Sequence, residues 1–528
     1  MEPAERYTAE EGQRFTLPVV LQDDATPITR DAPLVHTVPI RVRRAGRGPQ
    51  SDQAYVATTW ADGVELDPVS LDDVEAAVAE WRTSADFKAL HTFAVVMETL
   101  NLFEDALGHP MGFDSSPDAR LRIEPAAGLG WNAHYDPQDR ALRFLFNAGP
   151  AGRRPVYTCM SRDIVAHETG HAVLDALAPS LRDALGPQSH AVHEAIADLA
   201  AFLVAARTPK IERVPRRRLA SLVRIGESLG RHLGRQGPIR SLSNNKTLEP
   251  DQGEASVSPL DPHDASQVLS GTLYDWVDRL QKRGRGLDQG ALALFQRIVL
   301  RALDYLPPGE LGFGDFFRTV LALYQADEGG DFSEEQLLEG ILEGRGIRIG
   351  ERVGSGVEDL LYEGLRRQAS LEHEQDRFAE LLDVDNPADW AERHRDVLQI
   401  PRLAVVDSDL SSVTRLPGIG KTPPELVARV AWTLQEPNPQ DLVDAGWPEH
   451  RRVTFGSTLA LDLGGRPRLQ VTSQDNDVLL GQRDDNLRRL VGAGRLSLAG
   501  GRGGGDMQVD HSDGVLRVRG IGRMLHIR

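Results

Sequence analysis

A single cysteine, Cys159, stands in 528 residues, so no intrachain disulfide can hold this fold together. Basic residues are in deficit, with 60 Lys and Arg against 78 Asp and Glu and a net charge of −18. That balance argues against a general binder of nucleic acid or of an anionic membrane surface, because both need a positive face. Long apolar runs are missing as well. No stretch approaches the length of a membrane span, and Met1 to Arg14 is polar and acidic with no apolar signal-peptide core. Cytoplasmic residence is therefore the expectation, with export by a route lacking a cleaved signal as the alternative. No repeat of fixed period is present.

What the chain does contain is ordinary globular composition, 40% hydrophobic and 26% charged, enough apolar surface for a sizeable core. Its length calls for two or three domains. Residues from Phe15 to Trp60 read as β-rich, with alternation at Ile40-Arg41-Val42-Arg43 and a second run at Tyr55 to Trp60. Helical periodicity begins near Ser70. It is clearest at Phe93, Val96, Leu100, Phe103 and Leu107, and stops at Gly108-His109-Pro110. Leu121-Arg122-Ile123 reads as a strand. Trp131 to Tyr135 and Leu142 to Phe146, joined through Asp136-Pro137, read as a β-hairpin. From Ser161 to Gly344 the pattern is mostly helical, with Thr272 to Leu280, Ala291 to Leu306 and Phe313 to Tyr324 as clear segments. Ser333-Glu334-Glu335-Gln336 resembles a capping box. A compositional break falls at Gly350 to Gly356. Beyond it, Glu358 to Arg395 is charged and helical, while Val453 to Leu463, Leu469 to Ser473 and Gly514 to Arg528 are strand-like. Gly500 to Gly505 reads as a flexible loop.

The distinctive segment is Val165-Ala166-His167-Glu168-Thr169-Gly170-His171-Ala172-Val173-Leu174-Asp175. On a helix, His167 and His171 are separated by one turn, so both imidazoles can meet one ion. Glu168 lies beside them, where a carboxylate can act on water without being a ligand. Ile164, Val165, Ala172 and Leu174 to Leu177 make the helix mostly apolar, and imidazoles buried in such a stripe need partners. A second apolar helix, Ala191 to Ala206, carries Glu194 and Asp198 one turn apart. Two buried acids on one face are costly unless one binds a cation and the other accepts an imidazole N–H. Glu194 would then complete an open tetrahedral zinc site. His190 and His193 are competing third ligands, but helix geometry favours Glu194, with Asp198 as its neighbour and His193 about 100° away. Cys159, just before the helix, is read as a small core thiol rather than a metal-blocking thiolate.

These residues resemble the thermolysin-like zinc metallopeptidases, the gluzincins that hold zinc with two His and one Glu, over residues 85 to 345 or so. His167 to Asp175 is similar to that family's zinc helix, and Glu194-Ala195-Ile196-Ala197-Asp198 to its third-ligand helix. Trp131-Asn132-Ala133-His134-Tyr135 resembles the edge strand that pairs with substrate backbone. Ile239-Arg240-Ser241-Leu242 resembles the segment whose arginine grips a substrate carbonyl. His263, ahead of Ser270-Gly271-Thr272-Leu273-Tyr274, resembles the histidine that donates to the transition state.

The resemblance implies an α+β fold with a β-containing N-terminal lobe, a helical C-terminal lobe and the zinc helix in the cleft between them. An additional small α+β domain comes after these lobes. Three regions result: a β-rich segment at 1–80, part of the catalytic lobe or a pro-segment; a zinc metallopeptidase domain at 81–350; and a C-terminal domain of unknown role at 351–528. The implied activity is zinc-dependent endopeptidase, acting on a peptide or protein substrate with one zinc ion. Glu168 would be the general base and His263 the oxyanion donor. Asn132, Ala133 and Arg240 would bind substrate, and Asp198 and Asp175 would orient ligands. The alternatives are a catalytically weak or inactive zinc-binding scaffold and a gluzincin aminopeptidase, the latter lacking any Gly-Ala-Met-Glu-Asn-like segment.

Several departures from the family pattern stand out. The gap from His171 to Glu194 is lengthened and contains no Tyr for a second oxyanion donor. Asp163 occupies a calcium-site position but Ala205 stands where another ligand belongs, so structural calcium is not expected. Finally, Leu416-Pro417-Gly418-Ile419-Gly420-Lys421 resembles a DNA-contacting helix-hairpin-helix turn, yet in an acidic chain it reads as an ordinary loop. No nucleic-acid or membrane partner is expected.

Overall fold

A computed structural model describes residues 12–20, 35–45, 48–66, 71, 74–113, 119–147, 155–207, 222–248, 257–258, 260–280, 289–329, 332–350, 386–420, 422–462, 466–474, 477–496, 507–510 and 515–520. The fold mixes helices and strands and begins with a hairpin of β1 (Gln13–Val20) and β2 (Val35–Val42). Its alternating inward residues, Leu17, Val19, Val38, Ile40 and Val42, enter the main core. A short strand β3 (Ala54–Val56) and a five-residue helix α1 (Glu75–Ala79) precede the long α2 (Ala85–Leu107). Ser84 caps α2 by accepting the Phe87 N–H, and Gly108 ends it at φ 77°, a conformation that favours glycine. The first helix among the described residues starts at Glu75, Ser70 lies outside the described residues, and Tyr55 to Trp60 supplies a strand only as far as Val56.

Helix α2 is apolar on most of its circumference because it is covered on several sides. Asn101 Oδ1 accepts the Arg41 N–H of β2 at 2.7 Å, while Glu98, one turn earlier, pairs with Arg162 at 2.6 Å. Strands β4 (Leu121–Glu124), β5 (Ala133–Asp136) and β6 (Ala141–Phe144) join β3 in a sheet of order β3-β4-β6-β5. The N-terminal segment therefore shares one sheet with β4 to β6 and one core with α2. Among the described residues strand β5 is an edge, antiparallel to β6. Short strands β7 (Phe146–Asn147) and β8 (Val156–Tyr157) lead into the motif helix α3 (Arg162–Leu177), then α4 (Pro187–Ala206). The two-residue strands β9 (Arg224–Ile225) and β10 (Arg240–Ser241) flank α5 (Glu227–His232). Helices α6 (Pro262–Leu280), α7 (Gln289–Arg301), α8 (Phe313–Glu328) and α9 (Phe332–Gly344) follow among the described residues. Because α9 already starts at Phe332, Ser333 lies in its first turn instead of at the cap.

Beyond a short α10 (Pro387–Arg393), the C-terminal region is a six-stranded sheet built from β11 (Val405–Leu416), β12 (Glu425–Pro437), β13 (His450–Asp462), β14 (Pro467–Thr472), β15 (Met507–Asp510) and β16 (Val515–Gly520). Helices α11 (Gln440–Asp444) and α12 (Asp477–Gly492) accompany it. Trp390, Trp432, Leu459, Leu487 and Leu516 form a second core, while Leu416, Val427, Ala460, Leu469 and Val471 face the first. Between the two sits a buried ionic quartet. Arg301 meets Asp327 at 3.0 Å and Glu425 at 2.7 Å, and Arg468 meets the same two acids at 2.8 Å each. The glycine-rich loop after Leu416 joins the antiparallel pair β11 and β12, so no helix-hairpin-helix is formed there, and Ile419 packs against Gly108. The charged stretch from Glu358 is described only from Asn386, and Gly500 to Gly505 lies outside the described residues.

One helix among the described residues, Pro187–Ala206, is long and apolar enough to cross a membrane. It is the core helix α4, with 89% of that window buried inside the protein. The sequence reading of no such stretch was too strict, since α4 carries only two charged side chains, Glu194 and Asp198, and keeps an apolar mean.

Candidate metal centre

Helix α3 is fixed at its start by Asp163. Its Oδ1 accepts the Ser161 hydroxyl at 2.7 Å and the Ile164 N–H at 2.9 Å, and its Oδ2 accepts the Gly226 N–H at 2.7 Å. Gly170 lets α4 come close. A Cβ at that position would lie 2.9 Å from Ala197 Cα and 3.2 Å from Ala200 Cβ. Helix α4 has no side-chain cap of its own. Instead Glu310 accepts the Gly186 N–H at 2.9 Å, and the Glu310 N–H donates to Thr454 O of β13 at 2.8 Å. Asn486 of α12 donates to Leu185 O at 2.8 Å. The C-terminal sheet thus braces the start of the helix that carries Glu194.

Across this close α3–α4 contact, His167, His171 and Glu194 converge, each almost fully buried. The two Nε2 atoms are 3.1 Å apart, and each lies 3.7 Å from a Glu194 carboxylate oxygen. A tetrahedral zinc ion with bonds of roughly 2.0–2.1 Å separates its ligands by about 3.3–3.4 Å. The observed edges bracket that value, and two imidazoles with one carboxylate form a donor set suited to zinc. Among the described residues, this is the group of His, Cys, Asp and Glu that could hold a metal ion.

Around the trio the structure sorts the remaining candidates. Asp198 Oδ1 lies 2.9 Å from His167 Nδ1, placed to fix that ring. Arg240 grips the same carboxylate, Nε at 2.9 Å from Oδ2 and Nη2 at 3.0 Å from Oδ1. Burial pushes the Asp198 pKa up, but Arg240 and the contact with His167 outweigh it, leaving the carboxyl below its ordinary value. Arg240 is itself buried, and its Nη2 stands 3.6 Å from Glu194 Oε2. The arginine expected to grip a substrate carbonyl is first of all the counter-ion of Asp198, so any such grip falls to its remaining N–H groups.

Glu168 points toward strand β5, where its Oε2 accepts the Tyr135 N–H at 3.0 Å. Since Asn132 O accepts the Leu145 N–H on the β6 side, the alternation of the strand turns the backbone groups of Ala133 and Tyr135 away from β6, toward the open edge. The Asn132 Oδ1 atom is buried and has no hydrogen-bond partner. His263, at the start of α6, brings Nε2 to 3.6 Å from Glu194 Oε1, and at 37% exposure its side chain sits at the mouth of the site. Asp261 stands behind it, Oδ1 3.5 Å from Nδ1, and the contacts with His263 hold the Asp261 carboxyl down at about 2 despite partial burial.

Asp175 departs from its expected role of orienting a ligand. Its carboxylate accepts the Tyr135 hydroxyl at 3.0 Å and pairs with Arg182 at 2.7 Å. One turn past His171, it is drawn to partners supplied by β5 and the following loop. The far side of His171 belongs to His193, with the two Nδ1 atoms 2.7 Å apart. Burial keeps His193 uncharged, its pKa lowered to about 3 against the opposing pull of Glu194. His190 turns to Ala184 O, 2.9 Å from its Nε2, so the structure brings neither competing histidine into the trio. Cys159 is fully buried, and burial pushes its thiol up to about 12, so it is a protonated core side chain.

Four roles escaped the sequence reading. Gly170 could have been found as the small residue facing a helix rich in Ala. Asp261 could have been found from the Asp-Pro-His turn. The double use of Tyr135 and the His171–His193 contact depend on tertiary placement. No protein-family model matches the chain, and no curated protein matches it.

Proposed function

We propose that this chain is a zinc-dependent endopeptidase, a thermolysin-like metallopeptidase with a β-containing N-terminal lobe, a helical C-terminal lobe and the zinc helix α3 in the cleft. The observation that carries the reading is the convergence of His167, His171 and Glu194 beside a general-base candidate, Glu168, that is tied to an edge strand. When bound, zinc supplies Lewis acidity, which polarises a carbonyl and makes water a better nucleophile. Glu168 takes the proton of the attacking water and delivers it to the leaving amine. The Tyr135 N–H holds the Glu168 carboxylate in place for that task. The outward N–H and C=O of Ala133 pair with an extended peptide, with Asn132 Oδ1 as a further acceptor, which sets the scissile bond against Glu168. His263, backed by Asp261, donates to the developing oxyanion. Arg240 and Asp198 hold His167, and Asp175 steadies Tyr135 and hence the strand.

A second reading, a zinc-bearing binding module, is favoured by the lack of any Tyr between His171 and Glu194, which leaves the half-exposed His263 as the oxyanion donor. Glu168→Gln separates the two. In an endopeptidase it keeps one zinc per chain while peptide-library hydrolysis falls by about 10²–10⁴-fold. Undiminished hydrolysis contradicts the assignment of Glu168. Zinc-loaded wild type that cleaves no peptide supports the binding module.

A further inference from the structure

We infer that His193 is the positioning residue of the ligand His171, accepting a hydrogen bond from its Nδ1–H and so holding its Nε2 lone pair toward Glu194 and His167. The inference rests on the metal-site reading above. A neutral imidazole has one N–H and one lone pair. With the Nδ1 atoms of His171 and His193 2.7 Å apart, one must donate and the other accept. If His193 donated, the proton of a neutral His171 would sit on Nε2, the atom 3.1 Å from His167 Nε2 and 3.7 Å from Glu194, and His171 could not be a ligand. A ligand His171 therefore carries its proton on Nδ1, and His193 presents the lone pair of its own Nδ1. The proton of His193 then falls on its Nε2, a buried atom with no hydrogen-bond partner.

The same geometry removes His193 from the list of ligands. It approaches His171 from the nitrogen opposite the trio, with the ring centroids 4.9 Å apart and the ring planes inclined by 28°. The two ligand imidazoles thus have different supports, a carboxylate anchored by arginine for His167 and an uncharged imidazole for His171. Outer partners of this kind change metal affinity by about 10–100-fold.

The test is the zinc dissociation constant of the full chain, measured by competition with a chelating dye, for wild type and three variants. His193→Asn places a carbonyl oxygen where Nδ1 was and keeps the acceptor. His193→Phe keeps the ring but loses the acceptor, and His193→Ala loses both. Positioning predicts that Asn stays close to wild type while Phe and Ala bind zinc about 10–100-fold more weakly. Packing alone predicts the reverse order for Asn and Phe. Phe binding as tightly as wild type overturns the inference while leaving the metal site intact. Should Phe fail to fold, judged by thermal melting in chelator, the Asn-to-Ala comparison decides, and equal affinities overturn it. A wild-type chain that binds no zinc overturns the metal-site reading and this inference with it.

Discussion

Replacing Asp198 by Asn probes the arrangement behind the metal centre with almost no change in shape. The carboxylate takes Arg240 through two contacts of 2.9 and 3.0 Å and meets His167 Nδ1 at 2.9 Å, all in a buried setting. An amide keeps one acceptor oxygen and turns an NH2 group toward at least one donor. Arg240 then remains buried with Glu194 as its nearest acid at 3.6 Å. Breaking a buried pair by neutralising one member costs about 3–5 kcal/mol, because the other charge stays behind. The nearby Glu194 places the expected loss near the lower end, about 3 kcal/mol. Chemical denaturation in excess chelator measures this loss free of any metal contribution. Dye competition should in addition report zinc bound about 10–100-fold more weakly. Asp175→Asn is the control. It disturbs Tyr135 and a partly exposed Arg182, so it should cost about 1 kcal/mol and leave zinc affinity unchanged. If Asp198→Asn matches wild type in both assays, or if Asp175→Asn weakens zinc as much, the assignment of the two acids is wrong.

Gly170→Ala should lower stability by about 1–3 kcal/mol and weaken zinc, because the new methyl meets the α4 backbone 2.9 Å away and pushes Glu194 from the two imidazoles; unchanged denaturation and affinity would show that the helices are not held at this distance. His109 should give a pH-dependent contribution. Burial opposes its charging, but Asp304 at 2.9 Å outweighs this and raises its pKa. A raised folded-state value means that the contribution is complete below about pH 6.5 and fades as pH climbs through the folded value. His109→Asn should therefore lower the melting midpoint at pH 6 and do little at pH 9; an equal drop at both would exclude the ion pair as the cause.

The readability of this chain followed the range of the interactions involved. His167 and His171 were legible because a single helical turn places them together, and Glu194 with Asp198 for the same reason. The hairpin before α3 and the stop at Gly108 were legible from local turn and cap chemistry. Asp175 misled because helix periodicity gives a direction but not a partner, and Tyr135 and Arg182 arrive from other elements. The 100° offset of His193 from Glu194 was sound geometry, yet that offset is what carries it to the far nitrogen of His171. In the C-terminal region, β12 is buried along most of its length, so its near-continuous apolar run has no clean alternation to separate strand from helix. Helix α12 was hidden because its inward face includes Arg483 and Asn486, which satisfy Glu436 of β12 and the Leu185 carbonyl before α4.

The most direct test of the central claim is the metal content of the purified full chain, measured by elemental analysis after dialysis and compared with His167→Ala and Glu194→Ala. Wild type is predicted to hold one zinc ion per chain, with both variants losing it. Wild type without stoichiometric metal, or variants that retain it, would contradict a zinc centre built from His167, His171 and Glu194.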